Sequence, residues 1–267
     1  MRKTHEIQAQ RESQQEDVHG GDYSTWFQGS PVCDNPALLH MSGDVFFLVI
    51  QFLVLLLSLS VHESAHAWSA DRLGDPTARY LGRVSLNPVV HIDPIGTILF
   101  PLMGMFMLGG AIFGWAKPVP VNVSRLKNQS RDYMLVAAAG PVSNLILAAG
   151  FLTFLLICKS MSDSAGNVLT GLLYGRITEG SPVLAPLMAF AYQGIIINVV
   201  LAVFNFIPVA PLDGAAVLSG LLPRPLASAF DQMQNYGFIL LIGMLYLGIP
   251  AMLYTPVLNF VLSFLSI

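Results

Sequence analysis

Two histidines and a glutamate stand at the end of an apolar run: "VFFLVIQFLVLLL" leads directly into "SLSVHESAHAWSA", residues 58 to 70. Positions four apart on a helix share one face, one turn apart in height. His62 and His66 therefore project together and can bind one metal ion. Glu63 is placed to take a proton from metal-bound water and pass it to a leaving amine. This spacing, H-E-x-x-H, points to zinc with one open coordination position. Chance matches to so short a pattern are common in soluble chains. Here the three ionisable groups lie in an apolar helix, where burying them carries a desolvation cost.

Catalytic zinc usually takes three protein ligands and a water. The third is sought in "NFIPVAPLDGAAVL", residues 205 to 218, where Asp213 is the only carboxylate between Glu179 and Asp231. It follows Pro211 and precedes Gly214, which suits a turn entering a short helix. Asp213 thus has two readings, a zinc ligand or a helix N-cap. Asn144, in "AAAGPVSNLILAAG", also has two: a donor to a substrate carbonyl or an interhelical hydrogen bond.

Composition says what must position these groups. Apolar residues make up 54% of the 267, charged residues 11%, and mean hydropathy is +0.62. Soluble chains carry about 25% charged residues, so this one lacks the polar surface to solvate a globule. It reads as an all-α polytopic membrane protein. A net charge of −3 is too small to suggest nucleic acid as a partner. Cys33 and Cys158 show no metal-site or redox spacing.

Residues 1 to 43 are polar and Gln-rich and are expected to form a flexible tail. Apolar segments suited to spanning follow at about 44–70, 94–115, 132–158, 184–207, 233–249 and 251–267. The last two are short and divided by Pro250, so five or six spans are expected. Basic residues cluster in 72–83 and 117–131. If 94–115 crosses simply, the clusters fall on opposite faces and one violates the positive-inside rule. The alternative is a re-entrant segment, with a small membrane-associated β-ribbon through "MLGGAIFGW". His91 is expected in an interfacial turn, bonded to Asp93 or to backbone, and outside the ligand set. Trp115 and Lys117 suit an interface, and "PVP" at 118–120 offers an extended edge for a substrate strand.

"HESAH", "GPVSN" and "NFIPVAPLDG", in that order with spans between them, resemble the site-2 protease family of intramembrane zinc metalloproteases. "RLGDPTARYLGRVSLNPVVHIDPIGT" and "FGWAKPVPVNVSRLKN" look like its small prokaryotic members. The resemblance covers about residues 45 to 220, with no room for a PDZ or CBS domain. It implies that His62, His66 and Asp213 bind one zinc ion, that Glu63 is the general base, and that Asn144 and Asn205 position substrate or stabilise the oxyanion. It also implies a three-helix catalytic core, with "HESAH" on the first helix and "PLDG" on the third.

The expected organisation is a tail at 1–43, a protease core at 44–222 and C-terminal transmembrane helices at 223–267. The expected function is hydrolysis of peptide bonds within or near transmembrane segments of membrane proteins, by Glu-assisted attack of zinc-bound water. Partners are then a transmembrane substrate and membrane lipid, and the location a prokaryotic cell membrane. Oligomeric state and substrate identity are not encoded in any recognisable motif. A metal transporter is the rival reading, because intramembrane His and Asp also suit ion passage. Glu63 separates the two: a transporter needs no base beside the ligand pair.

Overall fold

A computed structural model describes residues 41–107, 114–173 and 182–266. Ten α-helices occur in these stretches: α1 (Met41–Leu73), α2 (Thr77–Tyr80), α3 (Phe100–Met107), α4 (Gln129–Met161), α5 (Asp163–Leu173), α6 (Leu184–Asn205), α7 (Asp213–Leu221), α8 (Arg224–Met233), α9 (Gly237–Tyr246) and α10 (Ile249–Ser266). Among the described residues there is no strand. The glycine stretch where a ribbon was expected, 108–113, lies outside them, as does the tail up to residue 40.

Three helices are long and apolar enough to cross a membrane: Phe46–Leu73 within α1, all of α4, and all of α6. Residues 224–246 and 249–265 pass that test only as a pair, bent by 65°. The described residues therefore hold three spans, or four if the bent pair counts as one, where the sequence led us to expect five or six. Gly248, with φ of +69°, sits at the bend ahead of Pro250, in a left-handed conformation that favours glycine.

The 94–115 segment explains another part of the difference. Among the described residues its helical stretch runs from Pro94 to Met107. At 1.5 Å per residue that length reaches about two thirds of the ~30 Å hydrocarbon core. Asp93 starts the segment by accepting the Ile95 and Gly96 amides at 3.0 and 2.7 Å. The chain then comes back to where it left: the Trp115 amide donates to the Gly96 carbonyl at 3.1 Å and the Lys117 amide to that of His91 at 2.9 Å. Both basic clusters consequently lie at one end of α1, where the Lys127 amide meets the Leu73 carbonyl. The charge conflict posed by a simple crossing disappears.

Helices α1, α4 and α6 pack against one another, and α7 packs on α4. Val54, Leu155, Met188, Ile195 and Val199 fill the centre of this unit. Water exclusion does not drive helices together in lipid, so close approach and interhelical hydrogen bonds carry the association. Gly194 of α6 supplies the close approach, since a Cβ there would run into the Phe151 ring of α4. Ser58, Asn144 and Asn198, fully or almost fully enclosed on α1, α4 and α6, supply the hydrogen bonds.

Candidate metal centre

His62 and His66 are buried on the α1 face that meets α4, and Glu63 beside them is half-buried. The two rings reach each other, Nε2 to Nε2, at 3.1 Å. Asp213 arrives from the far end of the chain. The turn after α6 is built from local bonds, Ile207 N–H to Phe204 O and Leu212 N–H to Val209 O, and Gly214 lets the turn close. A Cβ at Gly214 would strike the carbonyls of Phe206 and Ile207. Asp213 is the first residue of α7, and Leu212 occupies the cap position. The Asp213 carboxylate turns instead to the histidines, with Oδ2 at 3.1 Å from His62 Nε2 and 3.4 Å from His66 Nε2. Asp213 therefore does not take the cap position, which was one of its two readings.

The protons on these rings follow from backbone carbonyls. His66 Nδ1 lies 2.7 Å from the Val136 carbonyl, which only accepts, so Nδ1 carries the hydrogen. For His62 the argument takes three steps. Asn198 Nδ2 donates to the Gly194 carbonyl at 2.8 Å, which leaves its Oδ1 facing Asn144. Asn144 Nδ2 donates to that Oδ1 at 2.7 Å and to the Ser58 carbonyl at 3.3 Å. Its own Oδ1 then faces His62 Nδ1 at 2.6 Å and accepts from it. Both Nε2 atoms are left with bare lone pairs.

Three acceptors therefore converge: two imidazole nitrogens and a carboxylate oxygen. Asp213 Oδ2 is buried and has no hydrogen-bond donor. Lone pairs held this close repel unless a cation lies between them, and two imidazoles with a carboxylate form a donor set suited to a divalent transition metal. Glu63 also lies within reach, since one ligand atom each from His62, Glu63 and His66 falls within 4.8 Å of the others. Its Oε2, however, already accepts the Val119 amide at 2.9 Å. Gly140 of α4 closes the other side; a Cβ there would meet His66 Nε2 and, at 2.6 Å, His62 Nε2.

The model of peptidase family M50 matches residues 50–245. YwhC of Bacillus subtilis (strain 168), a protein named as a zinc metalloprotease, is 36% identical over 214 residues, covering 80% of this chain and 86% of the relative. The chain belongs to peptidase family M50. Two further relatives named as zinc metalloproteases carry the name Rip2. The one from Mycolicibacterium smegmatis is 28% identical over 80% of this chain and 70% of its own length. The one from Mycobacterium tuberculosis (strain H37Rv) is 27% identical over 70% of this chain and 62% of its own length. No solved structure matches the chain. The family membership agrees with the site-2 protease resemblance, and the apolar helices agree with a multi-pass membrane protein.

Not every expected residue lies where its expected role would put it. Asn144 is fully buried, with both ends of its amide engaged. It holds the interhelical bond that was one of its two readings, and the substrate reading would require breaking it. Asn205 ends α6, partly exposed, with Nδ2 on the Leu201 carbonyl at 2.9 Å. His91 bonds the Ser85 carbonyl through Nε2 at 2.8 Å and lies 3.3 Å from Ser64 Oγ, so backbone is its partner, while Asp93 caps residues 95 and 96. Burial holds the His91 imidazole below its usual range, and the neighbouring Arg83 pushes the same way.

The "PVP" stretch has no regular secondary structure, and the amides in and around it are largely spoken for. Lys117 N–H goes to His91, Val119 N–H to Glu63 and Asn122 N–H to Asp75 at 2.6 Å. Sequence reasoning missed Asn198, Arg83 and Gln234. Asn198 stands alone as a polar residue in "GIIINVVLAVF", the same signal that drew attention to Asn144. Gln234 accepts the Ala210 amide at 2.5 Å, and Gly237 packs on Ala210 beside it. These contacts support the loop that delivers Asp213.

Proposed function

We propose that this family member is an intramembrane zinc metalloprotease that hydrolyses peptide bonds within or near transmembrane segments. Residues 44–222 form its catalytic core, 223–267 its C-terminal transmembrane helices, and a prokaryotic cell membrane its location. The observation that carries the reading is the convergence of His62 Nε2, His66 Nε2 and Asp213 Oδ2, three acceptors with no donor between them.

These three residues would hold zinc. When bound, zinc supplies Lewis acidity, lowering the pKa of water towards about 7 and polarising a scissile carbonyl. Glu63 takes a proton from the attacking water and delivers it to the leaving nitrogen. Its carboxylate is kept in place by the Val119 amide. Asn144 fixes the hydrogen of His62 on Nδ1 and so keeps Nε2 available as a ligand. Asn205, partly exposed where α6 ends, is the asparagine positioned to meet a substrate carbonyl. A substrate helix must unwind locally first, because a helical amide is shielded by its own hydrogen bond.

Replacement of Glu63 tests the reading. Glu63→Gln should keep metal at wild-type stoichiometry, measured by elemental analysis of the purified full chain. It should lose cleavage of single-span reporter proteins by about 10²- to 10⁴-fold. A variant that still cuts would sink the role of Glu63. A wild-type protein that carries zinc across liposome membranes and cuts no reporter would establish the transporter reading instead.

A further inference from the structure

Arg83 is a buried cation without an anionic partner among the described ion pairs. Burying an unpaired guanidinium costs several kcal/mol, so its surroundings must compensate. Its terminal nitrogens donate to three backbone carbonyls: Val90, Lys117 and Pro118, the last at 3.0 Å. The Pro118 carbonyl and the Val119 N–H belong to one peptide group. That N–H donates to Glu63 Oε2 at 2.9 Å. Arg83 and Glu63 therefore grip opposite ends of a single peptide plane, cation on the oxygen and carboxylate on the hydrogen.

Two consequences follow from ordinary hydrogen-bond physics. A guanidinium on the carbonyl oxygen draws electron density through the amide and strengthens its N–H as a donor, by about 10–30% per linked bond. The planar fork also ties the Val90 carbonyl, on one arm, to the Lys117 and Pro118 carbonyls on the other, which a point charge cannot do equally well. Prolines at 118 and 120 remove the neighbouring donors and keep Val119 extended, as residues before proline are. The amide of Val119 is thus the donor this stretch presents to Glu63.

We propose that Arg83 is a positioning residue for Glu63, acting through the Pro118–Val119 peptide to hold one carboxylate oxygen so that the other faces the metal site. This rests on the reading of Glu63 as the proton carrier and adds what orients it. The side chain of Arg83 touches neither substrate nor metal ligands. Its effect belongs on the chemical step, because a carboxylate that loses the bond on its held oxygen loses alignment, not affinity for substrate.

The experiment uses the purified full chain in detergent, with a single-span reporter selected on the wild type. Arg83→Met removes the cation, Arg83→Lys keeps charge without the fork, and Val119→Pro deletes the one N–H while suiting extended backbone. Val119→Ala retains that N–H and controls for the side chain. We expect Val119→Pro and Arg83→Met to lower kcat by about 10²-fold with KM within about twofold and metal content unchanged. Arg83→Lys should fall between Arg83→Met and wild type, and Val119→Ala should lose far less than Val119→Pro. If Arg83→Met does not fold, Val119→Pro and Arg83→Lys decide. Loss in KM instead of kcat, loss of metal, or kcat within about threefold of wild type in Val119→Pro overturns the proposal. A Glu63→Gln variant that still cuts overturns the underlying reading, whatever Arg83 does.

Discussion

Asn198 meets His62 only through Asn144: its Oδ1 accepts the Asn144 amide at 2.7 Å, and the Asn144 oxygen lies 2.6 Å from His62 Nδ1. The direction of this chain is set at its far end by the Gly194 carbonyl of α6. One backbone oxygen thus determines which nitrogen of a ring two residues away is offered to a metal.

Asn198→Leu keeps the volume and deletes the chain. The Asn144 amide is then free to flip, and His62 loses its fixed tautomer. Zinc affinity should fall by about 10- to 100-fold, as for other outer partners of ligating histidines. Competition against a chromophoric chelator measures this without any cleavage assay. Unchanged affinity would mean that Ser58 alone orients Asn144.

Asp213→Ala removes the acceptor that meets both histidines. The purified variant should lose most of its metal, while Asp231→Ala, in α8, should retain it. Equal retention in both would leave Glu63 as the third ligand, since it also lies within reach.

Gly140→Ala adds a Cβ against His62 and His66. Neither ring can retreat, because each is tied at Nδ1. Overpacking of this kind costs about 1–3 kcal/mol. Reduced metal content and a lower unfolding midpoint are both expected. Gly150→Ala, on the same helix with open space around it, should show neither.

Asp75 governs a pH effect outside the spans. Burial raises its pKa, but the Thr77 hydroxyl and the Asn122 and Thr77 amides outweigh this and hold it below the usual carboxylate range. A folded-state pKa below the unfolded one contributes stability above the unfolded value, and that stability is lost as pH falls through the folded one. Acid should therefore release the 117–122 segment from α2. Urea unfolding of wild type should weaken below the ordinary aspartate range, and Asp75→Asn should be weaker at neutral pH with less further loss in acid. Parallel acid profiles for the two proteins would remove Asp75 from the account.

What the sequence disclosed followed the cost of burying charge. His62, Glu63, His66 and Asp213 stand out because lipid tolerates such residues only for a reason, and helical spacing fixes how the first three relate. Asn198 carries no charge and fits no spacing rule; its lone polar place in an apolar stretch marks it, but only its contacts show what it does. Arg83 reads as one more interfacial cation until the 94–115 segment is seen to turn back and bring Lys117 and Pro118 to it. That return depends on Asp93 and Pro94 starting a helix too short to cross, which hydropathy averaged over a window cannot register. The same averaging counted two spans where α9 and α10 form a bent pair.

The Gln234 side chain and Gly237 rest on Ala210, just ahead of Asp213. A boundary at residue 222 separates the helices by position, yet the C-terminal helices grip the loop that carries a proposed ligand. In evolutionary terms those helices are not an exchangeable module. A graft from another lineage would have to bring a matching foothold for that loop, so the two parts of the chain are bound to diverge together.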